Sequence, residues 1–346
     1  MIDWNLAGSI ANGVAGLAPP PPAGAFEHVA GPTEESERLV SAYTGLVASE
    51  PIPQPEPVDR ETWIESNHAS LRLVLDPVTE RIGSGFGVLS GPMSTATGAL
   101  LAAEVGAISG LLAQRVLGQY EFAILDPQAP PRLLYVAPNL AKAAGSLEAE
   151  PDQLLRWVAL HEVTHALQFG GVPWLRQHIA TMVGEMLSAL NVDPRNLFKL
   201  PDGADLRSLV EKVREGDLTT LVVGPERREA LDRMQAFMAV LEGYAEHVMD
   251  VVGADVIPDL PRLRLALDRR RADRSGLMRI FERLLGLELK LKQYQQGKAF
   301  CDAVVAAGGI AALNRVWEGP DRMPSLVEID DPAAWLKRTT PPALAA

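Results

Sequence analysis

Between positions 151 and 171 the chain reads PDQLLRWVALHEVTHALQFGG, and no other stretch restricts the possible folds so strongly. Proline suits the first position of a helix, where its missing N–H costs nothing, and a glycine pair suits a helix end. The stretch is therefore expected to form one helix running from Pro151 to the Gly170–Gly171 pair. Residues four apart in a helix differ by about 40° around the axis and about 6 Å along it, so His161 and His165 share a face. Val158, Ala159, Leu160, Val163, Thr164, Ala166 and Leu167 are all uncharged, as expected of a helix buried on most sides. Two imidazoles and the Glu162 carboxylate buried together are costly unless a cation accompanies them.

The types and spacing of these residues point to zinc. Zinc takes nitrogen ligands at about 2.0–2.1 Å, and a hydrolytic site uses three protein ligands and leaves the fourth position to water. Glu162 follows the first histidine directly. There it can take a proton from that water and pass it to a leaving group without occupying the metal. Three fixed residues are a modest signal alone, so the third ligand has to come from elsewhere in the chain. QAFMAVLEGYAEHVMD offers Glu242, Glu246 and Asp250 at successive i, i+4 positions. Three acids on one stripe of an otherwise apolar helix call for cations nearby. Gly243 permits close backbone approach beside Glu242. His247 lies about 140° around the helix from Glu242, which removes it from the same metal and leaves it as a satisfied structural histidine, with donation to a developing oxyanion as the alternative. Tyr244 and Tyr294 read as ordinary packing residues, with oxyanion donation of the same kind as the alternative.

The rest of the chain reads as mainly α, with a few short strands. From residue 19 to 57 it is dense in proline, with PPPPAG and PIPQPEP flanking a short helix at about 34–48. Residues 1–58 are accordingly expected to be an arm or linker. A helix starts near Asp59, and a glycine-rich loop, IGSGFGVLSGPM, follows it. The apolar run from 88 to 117 then contains Glu104 and Arg115, which favours a buried helix over a membrane span. Its Gly106 and Gly110 would let a neighbouring helix come close. YEFAIL and RLLYVAP are the best strand candidates. Further helices are expected at 174–190, 204–215, 225–252, 260–271 and 275–305. Residues 59–318 read as one domain, and 319–346 as an irregular tail with a short helix.

Composition excludes several classes. With 44 acidic and 32 basic side chains among 346 residues, the formal charge is −12, which argues against nucleic-acid or anionic-membrane binding. Eight Arg and three Lys against five acids between Asp259 and Lys298 read as a face that pairs with acidic neighbours in the same fold. Cys301 is the single cysteine, so neither an internal disulfide nor a cysteine-rich metal site can form within the chain. Asp3 stands where a secretory leader would carry a basic residue, so the expected location is the cytoplasm. Nothing in the sequence specifies an oligomeric state.

VALHEVTHAL resembles the extended metal-binding signature of the zincin metallopeptidases. The branch with HExxHxxGxxH requires Gly at 168 and His at 171, where this chain has Gln168 and Gly171. The gluzincin-like alternative takes a glutamate from a later helix, often with a second acid four residues on that orients a histidine. LEG followed by Ala and an acid resembles such a third-ligand segment. The resemblance therefore implies Glu242 as ligand and Glu246 behind it, with Glu246 as ligand and Asp250 behind it as the competing register. More narrowly, VDRETWIESN, VLGQYEFAILD, RLLYVAPNLA, GLELKLKQYQQGKAF and GGIAALNRVW resemble an actinobacterial-type family of zinc-dependent, zincin-like hydrolases. These are often labelled as associated with coenzyme F420 biosynthesis, a label that concerns where the family occurs. The resemblance implies a mainly helical zincin-like fold and a Zn²⁺-dependent hydrolase, most simply a metallopeptidase acting on a peptide or other amide. The alternative is a zinc-binding scaffold without catalysis.

Overall fold

The computed structural model describes residues 2–16, 26, 28–85, 92–122, 129–189, 225–272 and 292–340. The helix expected at 204–215, residues 86–91 of the glycine-rich loop and the first part of the helix expected at 275–305 lie outside the described residues, while the two ends of that loop belong to helices. In chain order the elements are α1 (Trp4–Ala15), α2 (Ala30–Thr44), β1 (Pro55–Val58), α3 (Arg60–Gly85), α4 (Pro92–Ala113), β2 (Gly118–Glu121), β3 (Arg132–Val136) and α5 (Ala137–Leu147). They continue with α6 (Pro151–Gly171), α7 (Leu175–Ala189), α8 (Pro225–Val256), α9 (Leu260–Ala272), α10 (Lys292–Leu313), α11 (Leu326–Asp330) and α12 (Pro332–Thr339). The fold is mainly α with one small sheet, as the sequence predicts.

That sheet has the order β1-β3-β2, with β1 parallel and β2 antiparallel to β3. Leu133, Leu134, Tyr135 and Val136 are all fully buried, because the central strand is covered on both faces. Alternation divides them between two cores. Leu133 and Tyr135 join the large core around α6 and α8, while Leu134 and Val136 pack with Trp63, Ile64, Ala11 and Ala113. The strand β1 escapes the sequence reading because PEPV has no apolar alternation. Its prolines are tolerated at a sheet edge, where a missing N–H breaks no central ladder.

Within the segment 1–58, the described residues include two helices packed on the rest of the fold. α1 lies on α4, where a Cβ on Gly106 would come within 2.5 Å of the Ala7 carbonyl and one on Gly110 within 2.6 Å of that of Ala11. The close approach expected from the small residues of α4 thus has α1 as its partner. α2 packs along α6 and places the Thr33 hydroxyl 3.0 Å from that of Tyr135. Proline density marks the connections here, and the amphipathic helices between them are held by tertiary packing. The tail is also more ordered than expected. Trp335 is fully buried against Phe300, and α11 begins with a capping box of Ser325 and Glu328.

α6 runs from Pro151 to Gly171, as its punctuation predicts. α8 lies across it, and α10 lies along α8. By length and composition Gln296–Trp317 is apolar enough to cross a membrane, yet Phe300, Cys301, Val304 and Leu313 on it are buried in the core. Gly297 of α10 and Gly243 of α8 meet backbone to backbone, and a Cβ on either would overlap the facing chain. This contact holds α8 at the depth from which Glu242 reaches α6. Gly297→Ala should therefore cost about 1–3 kcal/mol of stability through overpacking, measurable as a lower midpoint of denaturant unfolding.

Candidate metal centre

The two long helices bring together the residues that the sequence singles out. On α6 the Nε2 atoms of His161 and His165 are 3.2 Å apart. Glu242 of α8 faces both, with one oxygen 3.7 Å from His161 Nε2 and the other 3.7 Å from His165 Nε2. These three residues form a group whose ligand atoms all lie within 4.8 Å of one another. Tetrahedral ligands at about 2.0–2.1 Å from a zinc stand about 3.4 Å from each other, and the observed spacings bracket that value. The donor set of two imidazoles and one carboxylate fits zinc chemistry.

The outer nitrogens explain why the inner ones face each other. The Gln168 side-chain amide donates from Nε2 to the Leu241 carbonyl at 3.3 Å, so its Oε1 is the acceptor for His165 Nδ1 at 2.9 Å. That bond fixes the proton on Nδ1 and turns the Nε2 lone pair inward. His161 Nδ1 is 3.1 Å from the Met249 sulfur, a weak acceptor. The His165 Nε2 lone pair, His161 Nε2 and a carboxylate thus converge, within reach of one shared cation. The His161, His165 and Glu242 side chains keep 20%, 11% and 27% exposure, so the site opens to solvent on one side.

Glu162 is placed differently. One residue beyond His161, it is rotated about 100° around the helix and turned towards β2. There its Oε2 accepts the Tyr120 N–H at 2.7 Å. A Cβ on Gly118 would stand 2.8 Å from Glu162 Cγ and 2.7 Å from a Val158 methyl, so only glycine lets β2 run this close to α6. Glu162 is buried, and burial pushes its carboxyl up to about 7. His165 and the Tyr120 N–H oppose that shift and Glu242 adds to it.

The rest of the acidic stripe has cations from within the protein. Arg264 of α9 donates to Glu246 at 2.7 Å and to Asp250, and its guanidinium lies over the Trp157 ring. Lys298 of α10 stands 2.9 Å from Asp250 and 2.6 Å from Asp302. The role expected of Glu246, orienting a histidine, is filled at His165 by Gln168. Arg262, Arg264 and Lys298 of the basic segment pair with acids of the same fold, as expected, and residues 273–291 lie outside the described residues.

The candidate oxyanion donors are committed elsewhere. His247 has Tyr43 Oη 2.7 Å from Nε2 and Asp302 Oδ1 2.7 Å from Nδ1, which locks it between α2, α8 and α10. Tyr244 is fully buried and donates to Asn314 at 2.8 Å, and burial raises its hydroxyl well above the usual range. The Tyr294 side chain lies outside the described residues. Gln168, Met249, Gly118 and Tyr120 are contacts that the sequence reading missed. Gln168 alone had a local signal, since its i+3 spacing puts it on the face of His165.

The profile of the zincin-like metallopeptidase family matches residues 2–336. Among solved structures, the chain is similar to "a putative hydrolase with a novel fold" from Chloroflexus aurantiacus, with 32% identity, 98% of each chain covered and a TM-score of 0.74. No curated protein matches.

Removing the partner of a metal-binding histidine commonly costs about 10–100-fold in metal affinity. Gln168→Leu, similar in volume but without the amide, should show a loss of that size for zinc in chelator competition.

Proposed function

We propose that this chain, which belongs to the zincin-like metallopeptidase family, is a zinc-dependent hydrolase that cleaves amide bonds in peptides. The observation that carries the reading is the convergence of His161, His165 and Glu242, with Glu162 one residue from the first ligand. His161, His165 and Glu242 would hold the metal. A zinc bound there supplies a Lewis acid that polarises a carbonyl and acidifies water.

The remaining steps belong to the protein. Glu162 takes a proton from the attacking water as the new C–O bond forms. It gives that proton to the amide nitrogen as the C–N bond breaks, which leaves one carboxylate product and one amine product. The Tyr120 N–H holds Oε2, which leaves Oε1 as the oxygen for the proton. Burial, the main cause of the raised proton affinity of Glu162, helps the carboxyl keep the proton between the two transfers. Gln168 keeps His165 in the tautomer that ligates. The same residues would make the chain a zinc-binding scaffold if the chemistry were absent, so the test has to separate binding from turnover.

Glu162→Gln is expected to bind zinc with unchanged stoichiometry and to lose about 10²–10⁴-fold in peptide hydrolysis, read by metal analysis and a fluorogenic peptide library. Zinc retention with no cleavage by either wild type or variant would establish the scaffold reading instead. In parallel, Glu242→Ala should weaken zinc binding more than Glu246→Ala. The reverse order would move the third ligand to Glu246.

A further inference from the structure

Arg176, the second residue of α7, is held unlike three other half-buried arginines of the fold. Arg132 pairs with Glu56, Arg156 with Glu35, and Arg264 with Glu246 and Asp250. Among the described residues Arg176 has no acidic partner. One terminal nitrogen donates to Tyr120 Oη at 2.9 Å, its Nε is buried without any acceptor, and its guanidinium lies 5.9 Å from the centre of the Phe122 ring. A half-buried cation with no acidic partner among the described residues is suited to take an anion from a ligand.

Its position relates that capacity to the site. Along β2 every second residue turns to α6. Gly118 lies over Val158 and Glu162, and Tyr120 and Phe122 follow on the same face against Phe169, with ring centroids 6.1 and 4.2 Å away. Arg176 closes this aromatic row. From Glu162 to Phe169 is seven helical residues, about 10 Å at 1.5 Å per residue. An extended peptide covers that distance in about three residues. Tyr120 belongs to both ends, since its N–H holds Glu162 and its hydroxyl holds Arg176.

We propose that Arg176, backed by Tyr120 and Phe122, recognises a carboxylate on the substrate about three residues from the bond that is cleaved. A planar guanidinium with donors to spare suits a carboxylate, and the aromatic wall lowers the competition from water. The carboxylate could be a peptide C-terminus or a Glu or Asp side chain, which are chemically alike at this distance. The proposal names the substrate class for the reading given above and rests on it.

The test uses alanine-based octapeptides with one Glu or Gln at each position in turn, each with a free or an amidated C-terminus. Zinc-loaded wild type is expected to favour members bearing a carboxylate about three residues from the cleaved bond by about tenfold in kcat/KM. In Arg176→Gln that ratio should fall to near unity, whereas Arg176→Lys should keep its sign. The arm carrying the preference, Glu or free terminus, identifies the source. The same peptides are titrated calorimetrically against zinc-loaded Glu162→Gln, with and without Arg176→Gln. Preferential binding of the carboxylate forms that depends on Arg176, with no cleavage by wild type, supports carboxylate recognition by Arg176 and refutes the hydrolase reading alone. Cleavage without a charge preference, an equal preference in Arg176→Gln, or no difference in binding overturns the assignment of Arg176 and leaves the hydrolase reading standing.

Discussion

Two imidazole nitrogens 3.2 Å apart, with a carboxylate 3.7 Å from each, are the interaction on which the rest of this structure depends. Two imidazole nitrogens and a carboxylate at that spacing need a shared proton or a cation between them, and a protein core can supply a cation of its own only at the cost of burying another charge. The arrangement persists because each member is held from behind. Helical periodicity fixes the two histidines relative to each other. Gln168 ties the second of them to the backbone of Leu241, next to Glu242. One buried amide therefore links both halves of the site, and the relative position of α6 and α8 is set at the point where it matters for a ligand set.

The same economy explains the acidic stripe of α8. Glu242, Glu246 and Asp250 project along one line, and the protein provides Arg264 and Lys298 for the second and third. The network continues through Asp302 to His247 and Tyr43, and so clamps α2, α8, α9 and α10 around the helix that carries Glu242. Charge pairs of this kind add little net stability, because desolvation offsets much of their attraction. Their effect is on position: neutralising two of three neighbouring acids leaves Glu242 as the acid that faces the histidines.

Much of this was legible in the sequence, and what was not shares one cause. The limits of α6 follow from Pro151 and the Gly170–Gly171 pair, the stripe on α8 from i, i+4 spacing, and the close packing of α4 from Gly106 and Gly110. All three depend on residues near each other in the chain. The helix α1 went unread ahead of the first proline run, and β1 in a segment without apolar alternation, because partners distant in sequence hold them, whereas α2 is the short helix expected at about 34–48. The partner of Glu246 could be anticipated as a cation but not as Arg264, since nothing local ties α9 to that stripe.

Glu162 shows the same limit at the centre of the site. Its place one residue after His161 is local, and rotates it away from the side that faces Glu242. What it meets there is a backbone: the N–H of Tyr120, brought close because Gly118 carries no side chain. A partner supplied by main chain leaves almost no trace in residue identity, beyond one glycine at the start of a strand. The side of α6 that faces Glu242 and the side that carries Glu162 are thus determined by different means, the first by side chains from α8 and the second by the course of β2. A motif search detects the histidines and the glutamate between them, but only the fold separates their surroundings into a side that gathers negative charge and a side that buries it.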